Sequence, residues 1–448
     1  MTHEIAALAE PDAVRALVSV ALDALATGVA DRGGPLPRGG PDALVSVDDP
    51  LPAAGVGAAA ALAGLTRRLA AGAADPADPW CAAHLHCPPL AVAAAADLVA
   101  SVLNPSMDSW DQAPAASALE VELTRGLARL CHPGAADPDA LVTTGGTESN
   151  LLGLLLAREN LGRVTVLCGR NAHHSVARAA WLLGLREPVA VDCSGDRLDP
   201  AALAAALAGV DGPTAVVATM GTTNTGALDP LPEVTAAARA AGSWLHVDAA
   251  YAGALLFSDR RRDLVAGLAG ADSVAMDLHK FGWQPIAAGL LTCADAGVLG
   301  AMTARADYLS ADDDTEAGLP DLLGRSLRTS RRPDAFKIAV TLRALGRSGV
   351  GAMIDHCCDT AAAVAAEIAA RPDLLLWGRP TLSTVVFRPA GAADEAVARL
   401  RRDLLLSGQA VLGRATLDGR LWLKLTLLHP YATADKYRPL LDLVAGTA

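Results

Sequence analysis

Between about residues 76 and 305, short unbroken apolar runs alternate with stretches in which apolar residues recur every three or four positions. The runs fall at 164–169, 188–193, 214–221, 243–250, 273–279 and 288–293, and helical patterns such as 201–209 and 232–241 lie between several of them. Runs without polar alternation predict strands buried on both faces. Helical crossovers between them predict a mostly parallel, doubly wound sheet. Ligands of such sheets collect at the C-terminal ends of the strands. One more strand, 140–143, runs into a glycine turn and then a helix over 151–158. After residue 333 come a long helical pattern (335–345, then 350–370), strands near 383–388 and 421–427, and a final helix. Residues 1–75 read as helices around a Gly/Pro loop at 31–41, a segment suited to packing on a partner subunit. The expected organisation is an N-terminal helical arm (1–75), a large α/β domain (76–332) and a smaller C-terminal α/β domain (333–448). No repeat of 20–50 residues is visible.

Composition narrows the class. Hydrophobic residues make up 52% of the 448, which predicts a globular chain rather than a disordered one. The formal net charge is −12 with no basic run, which argues against nucleic acid or an anionic membrane as partner. The N-terminus carries Glu4 where a secretory signal needs basic charge, and the apolar stretch 51–66 contains Pro52 and is too short to span a bilayer. The eight cysteines lack a Cys-x-x-Cys pair, and they point to reduced thiols in the cytoplasm.

Four segments carry candidate chemistry. In 143–150 (Thr-Thr-Gly-Gly-Thr-Glu-Ser-Asn) two glycines precede a helix, whose N-terminus offers unpaired N–H groups and a positive dipole end. Gly146 and Thr147 would cradle a phosphate there; no Gly-Lys-Ser/Thr follows, so this is not a nucleotide P-loop. In 171–176, the adjacent His173 and His174 offer a flat imidazole for stacking. In 244–251, Asp248 ends a predicted strand and is followed by the small Ala250. In 272–280, an apolar strand delivers His279 and Lys280. Each has an ordinary reading alone: a turn, a loop histidine, a helix-capping aspartate, a strand-end lysine. Together they suit pyridoxal 5′-phosphate (PLP), which needs an amine for its aldehyde and an anion for its pyridine nitrogen.

With those residues in hand, the chain resembles the group II PLP-dependent amino-acid decarboxylases from about Trp80 to the C-terminus. The matching segments are 83–90, 104–114, 144–150, 221–230, 246–251, 279–285, 326–332 and 423–430. The Met-Asp-Ser-Trp-Asp-Gln run (107–112), the Gln-Pro at 284–285 and the Thr-Leu-Leu at 426–428 look most like the 2,4-diaminobutyrate and siderophore-type lysine decarboxylase branch. The resemblance implies an aspartate-aminotransferase-like, fold-type-I enzyme that removes CO2 from an L-amino acid, a diamino acid such as 2,4-diaminobutyrate or lysine. It implies that Lys280 bonds the cofactor, Asp248 pairs with its ring nitrogen and His173 stacks on the ring. Gly146, Thr147 and His279 would serve the phosphate, Thr223 and Ala250 would border the cofactor, and Tyr308 would protonate the substrate carbon from a closing loop. A homodimer with its active site at the interface is implied too.

The substrate side is less determined. His84, His86 and Lys424 are candidate contacts; the two histidines lack a third ligand, so no metal site is expected. The acidic run at 312–316 suits either a distal substrate amine or a solvated loop. An aromatic or acidic amino acid as substrate, or an aminotransferase or carbon–carbon lyase on the same framework, are the alternatives.

Overall fold

The computed structural model describes residues 7–44, 50–303, 316–319 and 322–446. The chain divides into two compact units. One comprises Met1–Pro88, Ala363–Gly378 and Val385–Ala448, and the other Pro89–Ala362 with Arg379–Thr384.

In the first unit, α1 (Pro11–Arg32) lies along α2 (Ala58–Gly72). The two approach so closely that a Cβ on Gly28 would stand 2.3 Å from the Arg67 carbonyl oxygen. Arg67 also reaches Asp31, and Arg32 reaches Asp75. By length and composition α1 is apolar enough to cross a membrane, although only 11% of its most apolar window is buried.

The second unit opens with α3 (Ala91–Leu103) and α4 (Pro114–Cys131), which lead into β1 (Asp139–Thr143) and α5 (Gly146–Leu161). Then follow β2 (Thr165–Gly169), α6 (Ser175–Leu182), β3 (Val189–Val191), the small hairpin β4 (Cys193–Ser194) and β5 (Arg197–Leu198), and α7 (Pro200–Ala208). Asp199 starts α7 by accepting from the N–H groups of Ala201 and Ala202. Next come β6 (Thr214–Thr219), α8 (Leu231–Ala240), β7 (Trp244–Asp248), β8 (Ser273–Asp277) and β9 (Gly289–Cys293). A long helix, α9 (Ala335–Ala369), is broken at Gly346, where φ is +66°.

The remaining elements are β10 (Leu374–Leu376), β11 (Thr384–Pro389), α10 (Asp394–Leu406), β12 (Gly413–Leu417), β13 (Arg420–Thr426) and α11 (Arg438–Ala445). Their four strands form one sheet in the order β10-β11-β13-β12.

The large sheet has the order β1-β9-β8-β7-β6-β2-β3. From β8 to β3 every neighbouring pair is parallel, and β9 runs against both β1 and β8. This is the mostly parallel α/β architecture expected. Strands β1, β6, β7, β8 and β9 are buried along their whole length, which explains why they read as continuous apolar runs. The runs at 243–250 and 273–279 overshoot. β7 stops at Asp248 and β8 at Asp277, while the turn residues Ala249, Ala250 and Leu278 stay buried, so hydrophobicity does not mark the strand end.

Register places the strand ends side by side. Gly289 of β9 pairs with Thr143 on one side and Asp277 on the other. A Cβ on Gly289 would lie 2.5 Å from the Gly145 Cα and N and from Thr143 Oγ1. The turn entering α5 therefore rests directly on β9. Gly289→Ala should destabilise the fold by about 1–3 kcal/mol, as overpacking does. A urea unfolding midpoint equal to that of the native chain would contradict this packing.

Two buried histidines tie unfolding to pH. His132, at the end of α4, bonds Thr292 of β9 at 2.9 Å, and His246 lies in the middle of β7. Burial pushes both rings down to about 4 from the ordinary 6.5. Stability from keeping them neutral is full above about pH 6.5 and drains as pH falls toward 4, because only the unfolded chain binds the extra protons. The loss is at most about 3 kcal/mol per ring. Urea midpoints of the apoprotein should fall over that window, and His132→Gln should flatten the slope.

Candidate active site

The exits of β7 and β8 each present a buried carboxylate. Asp248 is 6% exposed. Its Oδ2 accepts from Asn150 Nδ2 at 2.8 Å and its Oδ1 from the Ala250 N–H at 3.1 Å. The second bond is a local turn contact, so Asp248 is partly the capping aspartate that its neighbours allow. The bond from Asn150 reaches across to α5. Asp277 is 2% exposed. Its Oδ2 lies 2.8 Å from Lys280 Nζ and 3.4 Å from His279 Nε2, while its Oδ1 has no hydrogen-bond partner among the described residues. Burial pushes the Asp277 carboxyl up, but Lys280 and His279 together outweigh it and the net shift is downward. Lys280 thus emerges from the strand with its charge paired.

The start of α5 faces these acids. Gly145 has φ +148°, and no side chain caps the helix. A Cβ on Gly145 would be 2.8 Å from His279 Cε1, and one on Gly146 would be 2.9 Å from the Ala250 Cβ and 3.3 Å from Asp277 Oδ2. Only glycines bring the backbone this near, and they leave uncapped N–H groups at the helix N-terminus. Thr147 is exposed in the first turn. Glu148 folds back to accept from the Thr144 N–H and hydroxyl, at 2.6 and 2.8 Å.

His173 is half-buried, and its Nδ1 bonds Ser175 Oγ at 2.8 Å. Burial lowers its pKa against the pull of Asp248; Lys280 and Asp277 also act on it, so the three groups share its electrostatic surroundings. Thr223 is exposed in the loop after β6, whose first residue, Met220, donates to the Asp248 carbonyl at 2.8 Å. The second unit therefore brings together Gly146, Thr147, His173, Ala250, Asp248, His279 and Lys280. Tyr308 lies outside the described residues, as does most of the acidic run beginning at Asp312. His84, His86 and Lys424 belong to the first unit. There His84 is pushed down by burial and then by Lys424, Arg401 and His86, and the buried Lys424 stem covers Gly413. Among the described residues no cluster of three or more His, Cys, Asp or Glu is placed to hold a metal.

Two residues of this site were absent from the candidates read in the sequence: Asp277 and Asn150. Asp277 stands three residues before Lys280, a spacing that a turn converts into contact. Asn150 sits one helical turn after Gly146, on the buried side of α5.

These groups fit PLP. An amine at a strand exit, a second buried carboxylate for a protonated ring nitrogen, and a glycine-opened helix N-terminus for a phosphate are all present in one unit. Comparison with known proteins agrees. The family model for the pyridoxal-dependent decarboxylase conserved domain matches residues 64–390. The L-2,4-diaminobutyrate decarboxylase of Rhizobium meliloti (strain 1021) is 41% identical over 423 residues, covering 90% of this chain and 85% of that protein. The protein of the same name from Acinetobacter baumannii is 34% identical over 408 residues, 83% of this chain and 80% of its own. Among solved structures, the glutamate decarboxylase domain of diaminobutyrate-pyruvate transaminase and L-2,4-diaminobutyrate decarboxylase from Vibrio parahaemolyticus superposes with a TM-score of 0.84 at 29% identity, covering 97% of this chain and 95% of that one. Oryza sativa TDC, solved with PLP and tryptamine, shares the fold with a TM-score of 0.88 at 24% identity over 98% of both chains. The fold is that of fold-type-I PLP enzymes, and the chain belongs to the pyridoxal-dependent decarboxylase family, whose members remove CO2 from amino acids.

Proposed function

We propose that this enzyme decarboxylates an L-diamino acid, with 2,4-diaminobutyrate the first candidate and lysine the second. The observation supporting the chemistry is the placement of Asp248 and Lys280 at the exits of adjacent strands beside the start of α5. The choice of substrate rests on the two relatives named for diaminobutyrate, each matched over at least 80% of its own length.

When bound, PLP supplies an electron sink for the pair released as the bond from Cα to the carboxylate breaks. Lys280 is the amine that holds the cofactor aldehyde. Asp277 neutralises that amine and keeps it at the strand exit. Asp248 would hold a proton on the ring nitrogen. Gly146, Thr147, His279 and the uncapped N–H groups of α5 bind the phosphate. His173 would cover the ring face beside the substrate carboxylate, Ala250 is small enough to admit a flat ring, and Thr223 would border it. Tyr308 returns a proton to Cα.

The exposed apolar residues of the helical arm support a homodimer. Leu22, Leu25 and Val29 on α1 and Leu65 and Leu69 on α2 are 39–75% exposed. Their spacing gives each helix a stripe of the kind that packs on another surface. A second copy of this chain is the occupant, and the active sites would lie at that interface.

CO2 release from carboxyl-labelled L-amino acids should be fastest in kcat/KM with 2,4-diaminobutyrate. Higher values with aromatic or acidic amino acids would overturn the substrate, and α-keto acid formation without CO2 would overturn the reaction. Lys280→Ala should lose the visible absorbance of lysine-bound cofactor; a band retained at the same wavelength would refute its role. Sedimentation should show a dimer that Leu25→Glu with Leu69→Glu converts to monomer, and an unchanged mass would reject this interface.

A further inference from the structure

Behind Asp248 and His173 lies a chain of buried hydrogen bonds whose direction is determined at every link. The Trp244 indole, which only donates, reaches Ser273 Oγ at 3.2 Å, and Ser273 Oγ lies 2.9 Å from His246 Nδ1. His246 Nε2 is 2.9 Å from Asn150 Oδ1. The Asn150 amide nitrogen then donates twice, to Asp248 Oδ2 and to Ser175 Oγ, both at 2.8 Å. Ser175 Oγ is 2.8 Å from His173 Nδ1, which also receives the Ser175 backbone N–H at 3.3 Å.

The polarity follows from groups that have no choice. A carboxylate only accepts, so Asn150 must turn its NH2 toward Asp248; the flipped amide would set oxygen against oxygen in a buried site. Its Oδ1 then faces His246 and must receive a proton, which puts the single hydrogen of that neutral ring on Nε2. His246 Nδ1 in turn accepts from Ser273. At the other end, Ser175 accepts from Asn150 and spends its own hydrogen on His173. His173 Nδ1 meets two donors, so its proton resides on Nε2. The amide has two hydrogens and two acceptors, and it is fully used.

The geometry points to Asn150 as a positioning residue, held by His246, that aims the Asp248 carboxylate at the cofactor ring nitrogen and sets the tautomer of His173 through Ser175. This inference rests on the assignment of Asp248 to that nitrogen. The packing is built for it: Gly153, in the interior of α5, has no room for a side chain, because a Cβ there would stand 2.3 Å from His246 Nδ1. A helix-interior glycine costs about 1 kcal/mol relative to alanine, and here it admits the ring that supports Asn150.

The test separates Asn150 from Asp248 by comparing two cofactors: PLP, and the analogue in which carbon replaces the ring nitrogen. Equilibrium dissociation constants are read by fluorescence on the native chain, Asp248→Ala, Asn150→Ala, His246→Leu and His246→Gln. Asn150→Ala should weaken PLP about 10-fold, the equivalent of one charge-assisted hydrogen bond, and leave the analogue within about 2-fold. His246→Leu should show the same selective loss with a folded chain. His246→Gln, whose carboxamide can still donate to Asn150, should restore most of it. If Asp248→Ala loses both cofactors equally, the ring-nitrogen assignment itself fails. If Asp248→Ala discriminates between them but Asn150→Ala and His246→Leu do not, the positioning role is overturned.

Discussion

A carboxylate buried without compensation is one of the most expensive things a protein can hold, and this site holds two at the ends of neighbouring strands. Each is compensated differently. Asp277 is neutralised by Lys280 from its own turn, with the His279 ring beside it. Asp248 is solvated by neutral donors, the Asn150 amide and the Ala250 N–H. The difference matters. An acid already paired to a lysine has little left for a cofactor, whereas an acid held by neutral dipoles keeps its charge available. The same fold position, a strand exit, thus yields one acid paired to the lysine amine and one held by neutral donors alone.

Much of this was legible in the residues. The burial of whole strands appears as unbroken apolar runs, and the order of runs and helices gives the parallel sheet. Lys280, Asp248, His173 and the glycine pair stand out because polar or special residues interrupt those runs where strands should end. What was not legible depends on register and on contact across the chain. Nothing in the run at 288–293 reveals that β9 travels against its neighbours. Asp277 looked like an interior strand residue rather than the last one, because the turn beyond it is also buried. Asn150 looked like an ordinary helix residue, and its partner His246 like a strand residue; only packing of α5 on β7 brings them together. Ridges of contact between distant elements leave no periodicity.

The helical arm shows the complementary case. Its pattern was readable as helices, and its exposed leucines leave apolar stripes on both of them. Gly28 allows α1 and α2 to touch along their backbones, so the pair presents its apolar stripes as one relatively stiff element.

The reversed direction of β9 has one more effect. Because it returns beside β8, the segment bearing Lys280 is the loop of a hairpin anchored at both feet in one sheet, with the Leu278 N–H bonded to the Ala288 carbonyl at 2.8 Å. A residue on a long crossover can tolerate insertions that drift it by several ångströms. This amine has no such slack: its tether is short, and the glycine at the far foot also supports the turn into α5. A length change here would displace the amine and the turn into α5 at one stroke.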